Sequence, residues 1–178
     1  MPFLFGMFLF YFISLNSRLA LGENLTEYQI KAAYIYKFGN YVEWPDESFA
    51  NPDSPLTIGI IGADSIADNL EQIISGRTVN NRNIVVRKIY PDTSLDGIQI
   101  LFVGNSENAN LPGILVKTRD LPVLTVTESE ESISQDSIIN FVISEDKVRF
   151  DIALPAADRN NLKISSRLLQ VARKVISG

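Results

Sequence analysis

The sequence contains no histidine and no cysteine among its 178 residues. It therefore lacks the usual general base near neutral pH, the thiolate nucleophile, and the two commonest ligands of transition metals. That excludes most zinc, Cys-His and Ser-His chemistries, and a hydrolase built only on the available Ser and Asp is a poor reading. No disulfide can form, so the core alone must hold the fold in any redox compartment. Basic residues are also in the minority. With 16 Lys and Arg against 21 Asp and Glu, the net charge is −5, the wrong sign for non-specific nucleic-acid binding. Internal repeats, low-complexity tracts, a G-x-G-x-x-G turn and a P-loop are all missing. Gly59-Ile60-Ile61-Gly62 has only two of the glycines a nucleotide turn needs. No catalytic residue, metal site or cofactor is assigned, and the chain is expected not to be an enzyme.

What is present has ordinary globular proportions, 46% hydrophobic and 21% charged, in a length that suits one domain. The run from Phe3 to Leu15 is uncharged and shorter than the ~20 residues of a bilayer span, which suits the apolar region of a signal peptide. Ala20-Leu21-Gly22 supplies small residues for cleavage before Glu23. Residues 1–22 are expected to be a signal peptide and residues 23–178 a single exported domain.

The spacing predicts a first helix from Leu25 to about Trp44, capped by Thr26 or Asn24 and stopped by Pro45. Its apolar residues form two stripes, Leu25, Tyr28, Ala32, Ile35, Gly39 and Val42 on one and Ile30, Tyr34, Phe38 and Tyr41 on the other. Such a helix is buried on two sides, inside the core or against another chain. Apolar runs at Leu56–Ile61, Ile84–Ile89, Ile98–Val103 and Val123–Val126 read as strands. Helical stretches fall at Ser65–Ser75 and near Glu107–Lys117 between them. Ile138–Ser144 and Lys147–Ile152 flank Glu145-Asp146 as an antiparallel hairpin. A last helix is expected from Ser165 or Ser166 through Leu168, Leu169, Ala172, Val175 and Ile176. The fold class is thus α/β, one compact domain with a mixed, largely parallel sheet flanked by helices and ending in a hairpin plus helix.

Two surfaces stand out. Tyr34, Phe38, Tyr41 and Trp44 are candidate partner-binding anchors, because aromatic side chains dominate interface energetics; core packing is the simpler role for any one of them, and Phe38 is expected to act mainly as core. Lys163, Ser165 and Arg167 open the last helix and are candidates for a small anionic ligand, with capping the simpler role for Ser165. The acidic loop Glu128-Ser129-Glu130-Glu131 lacks a calcium-loop pattern and reads as a solvated turn. In an open α/β sheet a ligand would sit beyond the strand ends, near Gly62-Ala63-Asp64 and Gly104-Asn105-Ser106.

The stretch from Tyr28-Gln29-Ile30-Lys31-Ala32-Ala33-Tyr34 to Val42-Glu43-Trp44-Pro45 resembles the opening signature of the YfiR family. Ile58–Gly62, Ile100–Val103, Pro122–Val126 and Val148–Phe150 follow in that family's order, and Leu162–Leu169 completes it. The resemblance implies a periplasmic protein that can form a homodimer. It further implies repression of an inner-membrane signalling protein, a diguanylate cyclase, through its periplasmic sensor domain, lowering cyclic di-GMP output and biofilm formation. Because this chain has no cysteine, disulfide-tuned activity does not carry over. A periplasmic small-ligand-binding sensor domain is the alternative.

Overall fold

Strand β2 (Leu56–Ile61) is buried at every residue, as its unbroken apolar run requires of a strand covered on both faces. The computed structural model describes residues 25–129 and 136–178. The expected signal segment, and Glu130 and Glu131 of the acidic loop, lie outside the described residues.

Helix α1 (Glu27–Phe38) begins with a capping box: the Thr26 hydroxyl accepts from the Gln29 amide at 3.3 Å and the Gln29 side chain accepts from the Thr26 amide at 2.8 Å. These bonds satisfy two amides that the first turn leaves without partners. Thr26→Ala is expected to lower stability by about 1 kcal/mol, read from urea unfolding. After α1 come β1 (Val42–Glu43), β2, α2 (Asp64–Ile74), β3 (Thr78–Val79), β4 (Arg82–Lys88) and β5 (Ile100–Val103). Then follow α3 (Leu111–Thr118), β6 (Leu124–Thr127), β7 (Ile139–Ser144), β8 (Lys147–Ala153) and α4 (Leu154–Arg159). The chain ends with β9 (Lys163–Ile164), α5 (Ser166–Val171) and β10 (Lys174–Ile176).

Eight strands form one sheet in the order β10-β8-β7-β6-β5-β2-β4-β3. Neighbours run parallel except at the β7–β8 hairpin and the β3–β4 pair. One face packs against α1 and α2 through Ile35, Phe38, Ile66 and Leu70, and the other packs against α3 through Leu111, Ile114 and Leu115. The expected mixed, largely parallel α/β domain is what forms.

Two helix ends differ from expectation. The first helix stops at Phe38, well before Trp44, because Val42 and Glu43 pair antiparallel with Ile164 and Lys163. The last helix stops at Val171. Val175 and Ile176 belong instead to β10, which runs parallel to β8 and pairs Val175 with Ile152. In both places a pairing with a distant segment overrides a helical spacing.

Candidate functional site

The chain enters the sheet at β2, adds β4 on one side, then crosses back to add β5 on the other. The carboxyl ends of β2 and β5 therefore form a topological switch point. Two close approaches shut its middle. Ser106 Oγ donates to the Gly62 carbonyl at 2.8 Å, and the Gly104 amide donates to the Ile61 carbonyl at 2.8 Å. Gly62 has φ +66°, and a Cβ there would lie 2.4 Å from Ser106 Oγ, so glycine meets both a left-handed backbone and a lack of space. These contacts tie the loops after β2 and β5 to each other across the strand ends.

Clefts remain beside it, two of them next to α1. One of about 370 Å³ is lined by Tyr28, Lys31, Asp64, Ser65, Asn105 and Glu128. A second, of about 400 Å³, shares Lys31, Asn105 and Glu128 and extends to Phe141 and Arg173. The wall between them is a buried ion cluster. Lys31, only 4% exposed, donates to Glu27 one helical turn earlier and to Glu128 Oε2 at 2.5 Å. The other oxygen of Glu128 accepts from the Asn105 amide at 2.8 Å. Burial works against the ammonium, but hydrogen bonds and charge from Glu128 and Glu27 outweigh it and hold its pKa above the usual value. Across these two clefts Glu27, Asp64 and Glu128 face Lys31 and Arg173, the latter already paired with Asp151, so the balance is slightly acidic. No group of three or more acidic side chains suited to a metal occurs among the described residues.

Phe38 is fully buried, with its ring 5.1 Å from that of Phe150 and 5.9 Å from that of Phe141. Tyr34 is half-buried and meets Phe150 edge-on at 5.3 Å. Tyr41 and Trp44 lie beyond the helix, half-buried against the same core, and the Trp44 indole donates to the Gln99 carbonyl at 3.1 Å. The pairing of β1 with β9 brings the second candidate set beside them: Lys163 stands opposite Glu43, and the Ser165 amide donates to the Tyr41 carbonyl at 2.9 Å. Ser165 Oγ accepts from the Leu168 amide at 3.3 Å and so caps α5, while Lys163 and Arg167 are exposed. Tyr41, Trp44, Lys163 and Ser165 thus share one ribbon, whereas Tyr34 and Phe38 belong to the aromatic core. The Lys31–Glu128 cluster is the feature that reading the sequence missed. Its available signal was a lysine on an apolar helical stripe with an acid four residues earlier.

The fold is similar to that of a crystal structure titled conserved domain protein from Vibrio cholerae O1 biovar El Tor str. N16961, with a TM-score of 0.58 at 10% identity. The likeness covers 86% of this chain and 61% of that one, so the present chain spans about three-fifths of its length. No curated protein matches the sequence. The sequence profile of the YfiR/HmsC-like family matches residues 28–173, from the first helix through the ribbon to the last strand's approach. The chain therefore belongs to the YfiR/HmsC-like family, whose members are regulators of cyclic di-GMP signalling.

Proposed function

We propose that this protein is a periplasmic repressor that binds the periplasmic sensor domain of an inner-membrane diguanylate cyclase and holds it in its low-output state. The family match over residues 28–173 carries this reading. Repression of this kind needs no chemistry in the repressor, only a surface with higher affinity for one state of the partner than for the other. In this reading that surface is the ribbon of β1 and β9, with Tyr41, Trp44 and Lys163, while Tyr34 and Phe38 contribute from the aromatic core. In this reading residues 1–22 are removed on export. No helix among the described residues is long and apolar enough to cross a membrane.

Deleting the gene is expected to raise cellular cyclic di-GMP. Tyr41→Ala is expected to weaken binding to the sensor domain by about 1–3 kcal/mol, with a much smaller loss of thermal stability than a core truncation gives. Pull-down and thermal unfolding of the same variant separate the two effects. Folded Tyr41→Ala and Trp44→Ala proteins that bind and repress fully would remove this surface from the mechanism.

The clefts at the strand ends favour a second reading, a small-ligand sensor, since volumes such as 370 and 400 Å³ fall in the range of small-molecule sites. That reading also assigns Lys163, Ser165 and Arg167 to an anionic ligand. A copurifying compound that raises the melting temperature in proportion to its concentration would support it.

A further inference from the structure

Strand β4 is longer than the strand beside it. On its outer side, β3 pairs only Thr78 with Asn83 and Val79 with Arg82. On its inner side, β4 pairs with β2 from Ile84 through Lys88. The Ile89 amide donates to the Ile60 carbonyl at 2.9 Å, which fixes the alternation. Main-chain groups of residues 85, 87 and 89 face β2, and those of Ile84, Val86 and Lys88 face outward. No strand among the described residues lies beside that outer stretch. An open edge of this kind is a template for an added strand.

Charge selects the occupant. Within a chain of net charge −5, β4 carries Arg82, Arg87 and Lys88 and no acid. Arg82 is engaged by the Asn51 and Ser54 carbonyls, and Lys88 by Asp68 at 2.7 Å. Arg87 is exposed and has no partner among the described residues. Beside it on the same face, Val85 is 37% exposed. A second copy of this chain would set basic strand against basic strand, which cross-strand repulsion opposes. An incoming strand with alternating acidic and apolar residues would meet Arg87 and Val85 with the complementary chemistry.

We propose that the outer edge of β4 accepts an extended acidic segment of another protein by strand addition. Main-chain bonds form at Ile84, Val86 and Lys88, and a carboxylate of the incoming strand faces Arg87. The test uses the purified chain and fluorescence anisotropy of a short labelled peptide of alternating glutamate and valine, with an alternating lysine and valine peptide as control. The acidic peptide is expected to bind saturably and more weakly as salt rises, while the basic one does not bind. Val86→Pro is expected to weaken binding about tenfold or more, because the amide it removes faces outward and serves no bond to β2. Arg87→Glu, an exposed substitution that spares the backbone, is expected to do the same. Absence of acidic-peptide binding, equal binding of both peptides, or affinity unchanged in Arg87→Glu would overturn the proposal. So would concentration-dependent dimerisation abolished by Arg87→Glu, since the edge would then belong to a second copy.

Discussion

Phe38→Ala is expected to destabilise the protein by about 3–5 kcal/mol, because truncating a buried ring removes its transfer energy and leaves a cavity. The Phe38 ring is fully buried and lies 6.0 Å from Tyr34, 5.9 Å from Phe141 and 5.1 Å from Phe150. Those neighbours come from α1, β7 and β8, and rigid rings held by three elements collapse poorly into a void. For a domain of this size the loss corresponds to a fall of roughly 6–20 °C in melting temperature. Urea unfolding followed by fluorescence of Trp44, the single tryptophan, measures it directly. A loss below about 1 kcal/mol would mean that the ring is not part of the core.

Glu128→Ala is expected to cost about 2–3 kcal/mol, somewhat less than the ~3–5 kcal/mol of a fully broken buried pair. Removing this carboxylate leaves Lys31, 4% exposed, with Glu27 alone, whose side chain is half exposed. It also strips the Asn105 amide of its acceptor. Replacing both partners with apolar side chains, Lys31→Met with Glu128→Leu, is expected to recover most of the loss, because no buried charge then remains unpaired. Failure of the double variant to exceed Glu128→Ala would refute the account of the cluster. The same cluster sets a pH dependence. The folded-state pKa of Lys31 lies above its unfolded value near 10.5, so its stabilisation is fully present below that value and declines as pH rises through the folded one. Alkaline titration of stability should therefore show a component in the native protein that Lys31→Met lacks.

Most of the sheet could be read from the sequence because its central strands are unalternating apolar runs ended by glycine, as at Leu56–Ile61 followed by Gly62. Elements whose conformation depends on a distant partner were less legible. Val42 and Glu43 continue a helical spacing, yet pairing with Lys163–Ile164 makes them extended; Val175 and Ile176 fit a helix, yet the exposed edge of β8 recruits them. Nothing within a few residues of either segment carries that information. The candidate ribbon was visible only as two separate groups, Tyr41 and Trp44 in one and Lys163 and Ser165 in the other. Lys31 was hidden for a different reason. A charged residue on a helix is usually solvated, and its second carboxylate stands in a loop far along the chain, where Glu128 looked like one more acid in a wet turn.

The position of the first helix bears on how the chain is made. Synthesis delivers α1 early, but the rings that enclose Phe38 come from β7 and β8, and the segment after it pairs only with β9. About a hundred further residues must emerge before that helix can bury its second side, a long-range closure of the kind that slows folding. A chain threaded amino-terminus first, from the ribosome or through a narrow channel, therefore carries an uncovered aromatic helix for most of its passage and offers it to holding chaperones. The order in which the parts arrive favours a chain that stays open until β7, β8 and β9 are free.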